Sequence, residues 1–191
     1  MIKLIAAVSL DGAIGHDQNL LWDLPEDLKR YKEKTTGNIC IVGVTTYEYL
    51  PNEALKGRTH VVVSGYLDGR VIDVPQETQP RYNLQEKEKI EGNYDIWHRI
   101  TIKDALELVE DIKKEGQEVY LIGGATLYES MIDMVDEADI TWINKLYPEA
   151  NKRFPIDRLF NDFEMTGDSN YIKSENGLMF KHTYYKRVNN G

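Results

Sequence analysis

Five short apolar runs, each ending in glycine or a polar turn and separated by stretches of helical periodicity, constrain this chain more than any other feature. They are IKLIAAV at 2–8, NICIVG at 38–43, GRTHVVVSG at 57–65, EVYLIGG at 118–124 and EADITWIN at 137–144. A strand that is apolar along its length, rather than at alternate positions, is one covered on both faces, which is the habit of parallel sheets. The segments between the runs read as helices. Pro25 suits a first helical position, and Glu26 and Asp27 favour the positive end of a helix running to about Lys34. TTYEYL is a short helix, and ATLYESMIDMV another. Thr101 can cap a helix whose third residue on is Asp104, with Ile102, Ala105, Leu106, Val109 and Ile112 as its apolar stripe. Strands alternating with helices imply an α/β fold: a mostly parallel central sheet with helices on both faces.

The C-terminal region departs from this rhythm. Asn176-Gly177 supplies the residues of a tight turn between NYIKS and LMFKHTYYKRV, so an antiparallel hairpin is expected to close the sheet. After the first strand, SLDGAIGHDQNL has the composition of a loop. Residues 68–95 carry prolines, glutamates and lysines with little periodic apolar pattern and read as an insertion, a solvated loop with one short helix around LQEKEKI. With 191 residues, the expectation is one domain spanning 1–191.

Charge and composition exclude several classes of function. A formal charge of −9 repels a phosphodiester backbone, so nucleic acid is not an expected partner. No apolar run is long enough to cross a membrane, and MIKLIAAVSL is too short and strand-like for a secretory signal, so a soluble, cytoplasmic protein is expected. His16, His60, His98 and His182 show no ligand spacing, and neither HExxH nor CxxC is present, so no protein-held metal is expected. Cys40, inside an apolar run, reads as a buried thiol.

Two constellations carry candidate chemistry. In LLWDLPEDLKRY, Leu24, Leu28 and Tyr31 share a helical face, and Asp27 lies roughly 40° from Tyr31, at the border of that face. Two readings of Asp27 stand: it complements the helix dipole, as Glu26 does from the solvent side, or it is a lone acid in an apolar pocket with a pKa raised by desolvation. A group of the second kind binds a cationic heterocycle or helps to deliver a proton. In LIGGATLYES, two glycines at a strand-to-helix junction permit close backbone approach to a diphosphate, or serve turn geometry only. Gly43, Thr45 and Thr46 repeat that junction, and two such junctions suit a dinucleotide. Arg58 is either a surface charge or a carboxylate-binding fork. Trp22 is more often a core residue than a site residue.

Taken in order, IAAVSLDGAIG, LLWDLPEDLKRYK, GVTTYEYLP, LKGRTHVVVS, LIGGATLYE and DITWIN followed by RFP resemble the motifs of dihydrofolate reductase across nearly the whole chain outside the insertion. The resemblance implies a dihydrofolate-reductase-like fold and NADPH-dependent reduction of dihydrofolate to tetrahydrofolate, with NADH the second candidate cofactor. It implies that Asp27 anchors the amino-pyrimidine edge of the pterin and promotes protonation of N5 with a water near Trp22, and that Thr141 orients that carboxylate. Leu28, Tyr31, Leu50, Ile5 and Ile122 would line the substrate pocket, and Arg58 would take the glutamate α-carboxylate. Ala7 and Ile14 would flank the nicotinamide, with Asn19 and Leu20 in the loop that closes over it. Gly43, Thr45, Thr46, Ser64, Gly123, Gly124, Ala125, Thr126, Leu127 and Tyr128 match the family's cofactor residues, and the Gly123–Gly124 peptide would be cis.

Three positions depart from the family pattern. Val44 stands where Arg or Lys usually helps to hold the adenosine-side phosphates, which removes a charge-assisted contact that Arg70 or Arg99 could replace. Ala125 replaces a third glycine, and Asn151 replaces an acid near RFP that bears on how the closing loop is held. The rival readings are a riboflavin-pathway pyrimidine reductase of the same fold and a catalytically idle scaffold. A monomer is expected, with self-association through the insertion as the alternative.

Overall fold

The computed structural model describes residues 1–17, 19–67, 70–71, 87–90 and 94–188. In chain order the elements begin with β1 (Lys3–Ser9), β2 (Ala13–Gly15), α1 (Pro25–Thr35), β3 (Ile39–Gly43), α2 (Val44–Tyr49), α3 (Asn52–Leu55), β4 (Thr59–Leu67), β5 (Arg70–Val71) and β6 (Lys87–Ile90). There follow β7 (Tyr94–Thr101), α4 (Ile102–Ile112), β8 (Val119–Leu121), α5 (Ala125–Met131) with a 3₁₀ turn at Ile132–Met134, and β9 (Glu137–Ile143). The chain ends with β10 (Lys152–Arg153), α6 (Ile156–Asp162), β11 (Phe163–Asp168), β12 (Ile172–Lys173) and β13 (Met179–Arg187). They form two compact units, Met1–Lys34 with Met131–Gly191, and Thr35–Ser130.

In the first unit the strand order is β11-β13-β9-β1. β1 runs parallel to β9, with Ile5 beside Asp139 and Ala7 beside Thr141. β13 runs antiparallel to β9, setting His182 against Thr141 and Tyr184 against Asp139. Leu4, Val8, Ile140 and Ile143 have no exposed surface, the burial expected of strands covered on both faces. The expected hairpin is present, with β12 pairing β13. Its loop is longer than a two-residue turn: Gly177 N–H donates to Ser174 C=O (2.9 Å) and Ser174 N–H to Leu178 C=O (2.7 Å). Gly177 takes φ +89°, the left-handed residue that such a loop places after its turn.

In the second unit the order is β8-β3-β4-β7-β6, with β5 on β4. β3 pairs in parallel with both β8 and β4, and β4 with β7. Cys40, Ile41, Val42, Val61 and Val62 are completely buried there, as their unbroken apolar runs require. Thr101 caps α4, its hydroxyl accepting from Asp104 N–H at 3.0 Å. The buried stripe of α4 is Ile102, Ala105, Leu108 and Val109, so Leu108 takes the place expected for Leu106. Leu106 lies about 100° from Ala105 and so falls off the centre of the face.

Most of the expected insertion at 68–95 lies outside the described residues. Within it, Lys87–Ile90 is strand, not the helix expected around LQEKEKI, and it pairs antiparallel with β7. A segment with no helical apolar stripe has little to bury as a helix, whereas strand pairing satisfies its backbone N–H and C=O groups. Among the described residues no helix is long and apolar enough to cross a membrane.

Candidate active site

In the first unit, Asp27 projects from the first turn of α1, and the Thr141 hydroxyl donates to its Oδ1 at 2.5 Å. Thr141 Oγ1 also lies 3.0 Å from His182 Nδ1. Residues two apart on a strand share a face, so β9 presents Asp139 beside Thr141 and β13 presents Tyr184 beside His182. Arg30, one helical turn beyond Asp27, donates from Nη2 to Asp139 Oδ2 (2.7 Å) and to the Tyr184 hydroxyl (2.9 Å). Lys34 Nζ lies 3.5 Å from the same Asp139 oxygen. Asp27 is therefore not alone among apolar residues: an ion pair and an imidazole share its surroundings.

Asp27 as a residue is half-buried, and burial pushes the pKa of its carboxyl up. The Thr141 hydrogen bond and the Arg30 charge oppose that rise, and the Asp139 charge adds to it. The His182 imidazole is pushed down to about 4, by burial first and then by Arg30, with Asp139 opposing. Glu26 does not face solvent alone as its helical position suggests. It accepts from Ser174 Oγ (3.0 Å) and Glu175 N–H (3.2 Å), tying α1 to the hairpin loop.

Around these groups, Ile5 is buried, Tyr31 half-buried and Leu28 39 % exposed. Trp22 is half-buried with its ring 5.4 Å from that of Tyr147, against a core of Ala13, Leu24, Ile143 and Phe180. Ala7 and Ile14 are half-buried, while Asn19 and Leu20 are exposed. The loop bearing Asn19 is held at Asp17, which has φ +51°. Asn151 accepts from Asp17 N–H and donates to its carboxylate, both at 2.7 Å. An amide does both at once; an ionised acid at this position could not donate.

In the second unit, the ends of β3 and β8 meet where Gly43 N–H donates to Gly123 C=O at 2.7 Å. The Gly123–Gly124 peptide is cis, as the resemblance implies. A Cβ on Gly123, at φ +106°, would stand 2.9 Å from the Tyr128 ring, and one on Gly124 would stand 2.6 Å from Thr46 Oγ1. Both positions exclude any larger side chain without a shift. Thr45 and Thr126 are exposed and Thr46 and Ala125 half-buried, whereas Ser64, Leu127 and Tyr128 are buried. Tyr128 N–H is engaged by Gly124 C=O at 2.9 Å. Val44 packs with Tyr47, Leu50 and Ile122 over Val42, Val62 and Ile96, which gives an apolar residue at that position a packing role.

Arg58 is not a surface charge. It is 3 % exposed, donating from Nε to Thr35 Oγ1 (2.7 Å), from Nη1 to Lys56 C=O (2.5 Å) and from Nη2 to Thr36 Oγ1 (3.1 Å).

A sequence model described as Dihydrofolate reductase matches residues 1–187. The chain belongs to the dihydrofolate reductase family. Dihydrofolate reductase type 8 of Escherichia coli is 29% identical over 190 residues, covering 98% of both chains. A Haloferax volcanii dihydrofolate reductase is 32% identical over 154 residues, 80% of this chain and 69% of the relative. Against the bifunctional dihydrofolate reductase-thymidylate synthase of Paramecium tetraurelia it is 27% identical over 183 residues, spanning only 34% of that protein. The solved dihydrofolate reductase from Enterococcus faecalis complexed with NADP(H) and RAB-propyl superposes with a TM-score of 0.73 at 25% identity, covering 99% of this chain and 97% of the other.

Within this family member, local sequence pattern missed Arg30, Asp139, Tyr184 and His182. Arg30 is one turn from Asp27 and was open to helical-wheel reasoning. The other three depend on the β9–β13 register, which no local pattern encodes.

Proposed function

We propose that the chain reduces 7,8-dihydrofolate to 5,6,7,8-tetrahydrofolate with NADPH, and that both compact units belong to one reductase domain. The observation that carries this reading is the Asp27 carboxyl, raised in pKa by burial and oriented by Thr141. A desolvated carboxyl strengthens any hydrogen bond it makes to a cationic amino-pyrimidine edge and favours a proton on the substrate at N5. Ile5, Leu28, Tyr31, Leu50 and Ile122 supply apolar surface for the pterin and benzoyl rings. In this reading the Arg58 fork, braced by Thr35 and Thr36, takes the glutamate carboxylate.

The residues present fit the cofactor. Gly123 and Gly124 present bare backbone at the end of β8 with the Thr46 hydroxyl close to Gly124, and in this reading Thr45 and Thr126 add exposed hydroxyls. Gly43, Ser64, Ala125, Leu127 and Tyr128 complete that set, while Ala7, Ile14, Asn19 and Leu20 would hold the nicotinamide end. When bound, NADPH supplies the hydride that reaches C6. Exclusion of water by the Asn19–Leu20 loop favours that transfer. The same reading has the protein act as a cytoplasmic monomer, without nucleic-acid partners.

The test is loss of reduced-nicotinamide absorbance with dihydrofolate, using NADPH and NADH. Asp27→Asn is expected to lower kcat/KM about 10²-fold or more, in line with loss of an acid–base group. Absence of turnover by the folded wild type with either cofactor would favour the pyrimidine reductase or the idle scaffold instead. A small NADPH:NADH ratio would show what Val44 removes.

A further inference from the structure

The Thr141 hydroxyl has one proton to give and lies within hydrogen-bond distance of two groups, Asp27 Oδ1 at 2.5 Å and His182 Nδ1 at 3.0 Å. With Asp27 ionised, only Thr141 can donate across the first contact, so its oxygen must accept across the second. His182 then carries its proton on Nδ1. The opposite arrangement, with Nδ1 accepting, draws the Thr141 proton away from the carboxylate and faces two lone pairs at the shorter contact. One hydroxyl therefore couples the imidazole tautomer to the Asp27 carboxyl.

We propose that His182 is a positioning residue: its Nδ1–H, donated to Thr141, commits the Thr141 proton to Asp27 Oδ1 and leaves Oδ2 as the oxygen that takes up a proton or meets a ligand. The main chain of His182 is tied to Ser169, its N–H donating to Oγ (2.9 Å) and its C=O accepting from the Ser169 N–H (2.8 Å), and its ring stands edge-on to Phe180 at 5.5 Å. Among the described residues, Arg30 and Lys34 of α1, Asp139 of β9 and Tyr184 of β13 are the charged and titratable groups around the pair; on β1, Ile5 and Ala7 contribute none. Burial and the two cations keep the ring neutral at pH 7, so it acts as a dipole and not as a counter-ion. Donation into Thr141 polarises the hydroxyl and strengthens its own donation. The link thus moderates the rise that burial imposes on Asp27.

The geometry stands without the reductase reading; only the kinetic consequence rests on it. The test is nitrogen NMR of the His182 ring, with carbon NMR of labelled aspartate assigned by Asp27→Asn, on the intact unliganded protein. The wild type at pH 7 is expected to show a neutral ring protonated at Nδ1; protonation at Nε2 alone overturns the proposal. His182→Phe removes the donor and is expected to raise the Asp27 pKa by roughly half to one unit. His182→Asn, whose amide N–H can take the Nδ1 position, is expected to return most of that shift. No shift in the phenylalanine variant, or an equal shift in both, would mean that burial and not the donor sets Asp27. If His182→Phe does not fold, the wild-type tautomer still decides. Where dihydrofolate is turned over, the acid limb of the kcat/KM profile should move with Asp27; a wild type with the Nδ1 proton and no turnover sinks the reductase reading alone.

Discussion

Gly124 is a glycine for a local steric reason. A Cβ there would stand 2.6 Å from Thr46 Oγ1, and Thr46 is β-branched, so its side chain has few rotamers in which to yield. Gly124→Ala is expected to destabilise the protein by about 1–3 kcal/mol, the usual penalty for overpacking. Adding Thr46→Ala removes the colliding oxygen and is expected to recover most of the loss. Urea denaturation of the two single variants and the double checks this; additive losses would place the strain elsewhere. The neighbouring Ala125 meets no such constraint, because it opens α5, where alanine is at ease. The glycine pair was legible in the sequence, but its partner Thr46 comes from a helix 78 positions earlier, and only the parallel β3–β8 pairing brings the two junctions together.

At the scale of elements, local pattern is informative where a segment's own residues decide its state. Apolar runs became strands, and Thr101 capped α4. Pattern fails where a partner decides. β6 is a strand because β7 offers it an edge, and β2 and β10 are too short to be recognised before they pair with each other. The same division holds in the site: Asp27 and Thr141 each sit in a recognisable motif, whereas His182 is set by cross-strand register. The loop after β2 shows how a single residue carries such a pairing. Asn151 holds Asp17 through one accepted and one donated hydrogen bond. Asn151→Asp puts a second carboxylate at that contact and exchanges the donated bond for like-charge repulsion. Amide hydrogen exchange at Asp17 and Asn19 is expected to rise about tenfold or more at pH 7, corresponding to loss of roughly 1–2 kcal/mol. Unchanged exchange would show that the His16–Asn19 backbone pair, with the His16 contact to the Glu149 carbonyl, holds the loop without Asn151.

For the whole molecule, the pH dependence of stability follows from groups whose protonation folding suppresses. His60, on β4, is fully buried, and among the described residues neither ring nitrogen has a hydrogen-bond partner. Burial first, and the Arg58 charge second, push its pKa down from 6.5 to about 4. The unfolded chain binds a proton in that interval and the folded chain does not. His60 therefore contributes stability that is fully present above pH 6.5 and is lost as pH falls toward 4. At about 1.4 kcal/mol per unit, the loss is on the order of 3 kcal/mol, a large part of the 5–15 kcal/mol typical of a domain. His182, half-buried and also pushed down to about 4, adds a loss of the same sign. Asp27 opposes both: a carboxyl with a raised folded pKa destabilises the fold when ionised, and protonating it on acidification relieves that penalty. Asp11, Glu26 and Asp168, whose carboxyls are held below their usual range, act with the histidines, because protonating them on acidification removes stabilising charge, and the balance is a net decline. Urea titrations from pH 7 to pH 4.5 are expected to show stability falling with acid, and His60→Leu to flatten that slope by the His60 share, on the order of 3 kcal/mol. A variant slope equal to the wild type's would mean that His60 finds a proton-stabilising partner in the folded state, and would move the origin of acid sensitivity to His182 and the paired carboxylates.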